Sequence, residues 1–67
     1  MIELLVNGKH HTVPANHTLL QLLETLNLPT LGVAVAVNSA IVLASNYDET
    51  KLREGDKIEI IRAVGGG

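Results

Sequence analysis

Apolar and polar positions alternate from the start of the chain. Ile2, Leu4 and Val6 fall on one face of a strand and Glu3 and Leu5 on the other. Asn7-Gly8 follows, and since both residue types tolerate positive φ, the pair predicts a type I′ hairpin. Lys9 to Val13 is then the returning strand, ended at Pro14 by the loss of a backbone donor. At Thr18 the period changes from two to that of a helix. Leu19, Leu22, Leu23 and Leu26 recur at i, i+3, i+4 and i+7, one apolar stripe to lay on a sheet. Thr18-Leu19-Leu20-Gln21 fits a capping box, and Asn27 and Pro29 stop the helix after about three turns. Val33-Ala34-Val35-Ala36-Val37 alternates large and small, which predicts a strand with valines toward the helix and alanines outward. Asn38-Ser39 turns the chain into a short fourth strand, Ile41 to Leu43. Ala44 to Leu52 reads as a polar, irregular loop with a helical turn near Asp48. Glu54-Gly55-Asp56 is a turn, and Lys57 to Val64 is the last strand, running into Gly65-Gly66-Gly67.

A hairpin, one helix and three further strands define an α+β architecture. A right-handed connection across the helix brings the last strand beside the first, in parallel. That is the β-grasp (ubiquitin-like) arrangement, a mixed sheet of about four to five strands packed on one helix. The reading divides the chain into a domain over residues 1–64 and a flexible glycine tail over 65–67. The tail leaves a central strand, held at its root and free at its tip. By position alone three glycines are as consistent with a frayed end as with a functional tail.

Composition narrows the function classes. The 67 residues suit one domain, and 46% hydrophobic content with Tyr47 as the single aromatic allows a compact aliphatic core. Charged residues make up 18% and the formal net charge is -2, which leaves no electrostatic footprint for nucleic acid or an anionic membrane. With no cysteine, disulfides, thiolate metal sites and thiol catalysis are excluded. Met1 runs straight into a strand pattern and no apolar run reaches membrane-spanning length, so the expected location is the cytoplasm. His10 and His11 point to opposite faces of their strand and His17 precedes the helix cap. That spacing holds no zinc site. No serine has an evident base partner and the acids are scattered, so no catalytic residue is expected. Nor are the glycines a phosphate loop, since no Lys or Ser/Thr follows them.

Four stretches carry a more specific likeness: Val6-Asn7-Gly8, Thr18-Leu19-Leu20-Gln21-Leu22-Leu23, Val33-Ala34-Val35-Ala36-Val37-Asn38 and Glu54-Gly55-Asp56-Lys57-Ile58-Glu59-Ile60. Together with Ala63-Val64-Gly65-Gly66-Gly67 they resemble the ThiS family, the ubiquitin-like sulfur carriers of thiamine biosynthesis, over the whole length. The resemblance implies a carrier without turnover of its own and without a bound cofactor. A ThiF-like adenylating enzyme would use MgATP to activate the Gly67 carboxylate as an acyl-adenylate. A persulfide donor would replace AMP with sulfur, and the resulting thiocarboxylate would supply a ThiG-like thiazole synthase. Gly67 is then the modified residue, and Gly66 and Gly65 let the tail thread a narrow partner channel. The chain departs from the family at Leu43-Ala44-Ser45-Asn46-Tyr47-Asp48, where members often carry a proline, a basic residue and a tryptophan; only the aromatic character survives, in Tyr47.

The alternation also predicts an outward apolar patch of Leu5, Ala34, Ala36 and Ile61 near the tail, either ordinary surface or the face that docks the partner enzymes. Three other readings share the pattern: a MoaD-like carrier for molybdopterin synthesis, a ubiquitin-like protein modifier, and a β-grasp binding module without tail chemistry. MoaD-like chains are usually longer, with an aromatic-rich first strand, so the short chain favours the thiamine carrier.

Overall fold

The computed structural model describes residues 1–62. Five strands, one α-helix and one 3-10 turn follow in the order β1 (Ile2–Val6), β2 (Lys9–Val13), α1 (Leu19–Thr25), β3 (Val33–Val37), β4 (Ala40–Val42), the 3-10 turn Ala44–Asn46, and β5 (Lys57–Arg62). The strands form one mixed sheet in the order β2-β1-β5-β3-β4. β1 and β5 run parallel and every other pair is antiparallel. The last strand therefore lies at the centre, beside the first, as the β-grasp reading requires.

Two tight turns set the registers. Asn7 and Gly8 both have positive φ (50° and 82°), which matches the twist of a two-residue hairpin and pairs Val6 with Lys9. Asn38 and Ser39 repeat the device (51° and 72°), pairing Val37 with Ala40 and Ala36 with Ile41. The fourth strand is thus Ala40–Val42, one residue earlier than the apolar run predicts, because the turn closes at Ala40.

The helix opens as expected. The backbone N–H of Gln21 donates to the Thr18 hydroxyl (3.2 Å), and the N–H of Thr18 donates to Gln21 Oε1 (2.8 Å). It is shorter than three turns, seven residues, and its end is built by Asn27. With φ 58°, Asn27 takes the left-handed conformation of a C-terminal cap. Its N–H donates to the Glu24 carbonyl and that of Leu28 to the Leu23 carbonyl, a Schellman closure made by an asparagine in the usual glycine place. Asn27 ends the helix before Pro29 is reached.

The core lies between α1 and one sheet face. Leu19, Leu22, Leu23 and Val35 are fully buried, with Leu4, Val6, Val13, Ile58 and Ile60 around them. Two further core members come from the stretch read as an irregular polar loop: Tyr47 and Leu52, each 2% exposed. That stretch is ordered because it completes the helix start. The N–H of Leu19 donates to the Thr50 carbonyl (2.8 Å), the N–H of Leu20 to the Tyr47 carbonyl (3.1 Å), and the N–H of Leu52 to the His17 carbonyl (2.9 Å). The first two of these, with the Thr18 hydroxyl on the N–H of Gln21, satisfy the first three N–H groups of α1, which a helix cannot pair internally. The helical turn itself falls at Ala44–Asn46, just ahead of the predicted place.

Candidate functional site

The last strand is fixed from both sides. β3 pairs with it along its whole length, from Val37 opposite Ile58 to Val33 opposite Arg62. The β1 ladder stops at Val6 opposite Ile58, because the chain turns away at Asn7-Gly8. Asn7 then extends the ladder with its side chain. The N–H of Ile60 donates to Asn7 Oδ1 (2.8 Å), and Asn7 Nδ2 donates to the Ile60 carbonyl (3.1 Å). A side-chain amide thus replaces a backbone amide and clamps β5 two residues before Arg62. At the other end, Asn38 Oδ1 accepts from the N–H of Lys57 (3.0 Å) and Asn38 Nδ2 donates to Asp56 Oδ1 (2.9 Å). Residues 63–67, with the expected modified Gly67 and the threading Gly66 and Gly65, lie outside the described residues, as does the predicted Ala63-Val64 end of the strand.

The sheet face away from α1 carries the predicted outward residues. Ala34 lies opposite Ile61 and Ala36 opposite Glu59 on β3 and β5. Ala36 also lies opposite Ile41 on β4. Ile61 and Ile41 are 67% and 71% exposed, so Ala34, Ala36, Ile41 and Ile61 make one continuous apolar area reaching the end of β5. Ile41 belongs to this area and was missed by the sequence reading. The Asn38-Ser39 turn, taken as a two-residue hairpin, would have placed it there. Leu5 shares the face but not the neighbourhood. It sits beside Lys57, at the start of β5, about 13 Å along the strand from Ile61. It borders a shallow notch with Gly8, Lys57 and Glu59, so the patch at the Arg62 end of β5 consists of the other three predicted residues and Ile41.

Tyr47, placed in the stretch that departs from the family pattern, is a core residue rather than an exposed contact. The histidines stay apart. His10 lies 3.5 Å from Glu3 at the surface, and His17 Nε2 lies 3.4 Å from the Thr25 hydroxyl. Among the described residues no three His, Asp or Glu side chains are gathered to hold a metal ion, and no helix is long and apolar enough to cross a membrane. What the arrangement offers is a braced central strand beside a flat apolar face.

Comparison with known proteins gives a consistent result. The model of the ThiS family matches residues 2–67. The sulfur carrier protein ThiS of Escherichia coli is 29% identical over 66 residues, covering 98% of this chain and all of that protein. Thiazole synthases of Paramagnetospirillum magneticum and Magnetococcus marinus are 36% and 39% identical over 66 and 62 residues. The chain spans only about a fifth of their length (20% and 19%). The crystal structure of the thiamine biosynthesis protein ThiS from Geobacter metallireducens superposes with a TM-score of 0.83 at 30% identity, covering 98% of this chain and all of that one. With the family match running through every strand, the helix and the glycines, and a solved member sharing the same fold, this chain belongs to the ThiS family.

Proposed function

We propose that this chain is a sulfur carrier of thiamine biosynthesis whose chemical site is the Gly67 carboxylate. The observation that carries the reading is the union of a ThiS-family match extending through Gly67 with a central last strand that leads toward it. A carboxylate is a poor electrophile, so the first step is activation. A carboxylate oxygen attacks the α-phosphorus of MgATP on a ThiF-like partner, releasing pyrophosphate and leaving an acyl-adenylate. Sulfur from a protein persulfide then attacks the Gly67 carbonyl and displaces AMP. A thiol cleaves the resulting sulfur–sulfur bond, leaving the thiocarboxylate that a ThiG-like thiazole synthase consumes. Gly66 and Gly65 present no Cβ to the walls of a channel.

In this reading the open face of Ala34, Ala36, Ile41 and Ile61 is the docking surface, and the chain supplies no catalytic group. Intact-mass measurement after incubation with the adenylating enzyme of the same organism, MgATP and a persulfide donor tests the chemistry. The expected result is exchange of one oxygen for sulfur at Gly67, lost when Gly67 is deleted. A Gly67-deleted chain that still supports thiamine synthesis in cells would overturn it. Ala36→Arg tests the face: the fold should persist while adenylation stops.

A further inference from the structure

One side chain on the open face is out of keeping with its surroundings. The row across the sheet reads Ile41, Ala36, Glu59, so a carboxylate stands on the central strand beside an alanine. On its other flank the chain is turning at Asn7-Gly8. The Asn7 amide is occupied by the Ile60 main chain, and Gly8 has no side chain to offer. The result is the shallow notch bounded by Leu5, Gly8, Lys57 and Glu59. Among the described residues the one ion pair joins His10 to Glu3, and Glu59 pairs with nothing, Lys57 included. Glutamate is also a poor choice for a central strand. Among the described residues no hydrogen bond or ion pair holds its carboxylate.

We infer that Glu59 is the charge by which the open face selects its partner, and that thiazole synthase presents an arginine or lysine into the notch beside it. The inference rests on the docking reading of that face. Thiazole synthase is the partner named because two proteins of that name contain a stretch similar to nearly all of this chain. Covering Ala36 and Ile41 removes water from Glu59 as well. An unmatched buried carboxylate opposes association strongly, whereas a matched one rejects every surface that lacks the cation. The apolar residues then supply attraction without discrimination, and Glu59 supplies the discrimination and the salt dependence.

The test is equilibrium binding of the whole chain to the thiazole synthase of the same organism at low and high salt. Glu59 is exposed, so Glu59→Gln should melt with the parent. It should bind about ten- to hundredfold more weakly at low salt, with a flatter salt dependence. Glu59→Lys should lose at least about a hundredfold. Binding of Glu59→Gln within twofold of the parent, while Ala36→Arg abolishes binding, overturns the inference and leaves the docking face standing. Unchanged binding by Ala36→Arg as well removes the docking reading itself. A Lys57→Met variant that loses as much as Glu59→Gln also overturns the inference, because the cation would then be this chain's own. Greater self-association of Glu59→Gln with unchanged synthase binding overturns it too, reducing Glu59 to a guard against aggregation.

Discussion

Asn7 does two jobs, and Asn7→Gly separates them. Glycine keeps the positive φ of the turn (50°), so the hairpin remains and only the clamp on Ile60 is lost. Two amide hydrogen bonds go, at 2.8 and 3.1 Å, each worth about 0.5–1.5 kcal/mol net. The added chain entropy of a glycine raises the cost by up to about 1 kcal/mol. The expected loss is about 2 kcal/mol, which for a domain this small lowers Tm by about 8–16 °C. Amide hydrogen exchange supplies the local readout. The Ile60 N–H should lose protection, while the N–H of Glu59, which by strand alternation points to β3, should keep it relative to global unfolding. A variant that melts within about 2 °C of the parent and protects Ile60 equally would refute the idea that a side chain completes the β1–β5 ladder.

Other expectations are simpler. Thr18→Ala removes the hydroxyl that accepts from the N–H of Gln21 and should cost about 1 kcal/mol in urea unfolding, with the m-value unchanged. Ser39 has φ 72°, so Ser39→Gly should relieve strain and raise stability by up to about 1 kcal/mol, read as a higher Tm. Tyr47→Ala empties a core position and should cost about 3–5 kcal/mol. Tyr47→Phe should stay within about 0.5 kcal/mol by the same unfolding assay, since the hydroxyl makes no hydrogen bond within the described residues.

The sheet was legible because its signals are local. A period of two in β1, Asn-Gly at a turn, and alternating valine and alanine each point to one conformation without help from distant residues. The capping box at Thr18 is equally local. What escaped the reading depends on long-range pairing. Tyr47 and Leu52 sit among polar neighbours, and only the docking of their loop on the first turn of α1 buries them. The stop at Asn27, by contrast, was legible, and its left-handed backbone is what closes α1. The open apolar face was partly legible. Alternation put Ala34, Ala36 and Ile61 outward, but separating Leu5 from them needs the β1–β5 register. The place of Glu59 beside Ala36 becomes visible only when the rows are aligned across strands.

The adjacency of the first and last strands also has a consequence for how the molecule comes into being. Asn7 and Ile60 are 53 positions apart, and the central ladder joins them, so the ring that must close takes in most of the chain. Closing such a loop costs about 3.5 kcal/mol in chain entropy beyond a constant term, before the β1–β5 contacts offset it. The β1–β2 hairpin and the helix can form as local structures during synthesis, but the sheet has no middle until Lys57–Arg62 arrive. Folding should therefore be slow for the chain's size and strongly concerted. A nascent or partly degraded copy lacking β5 has neither the sheet nor the strand that leads to the glycines.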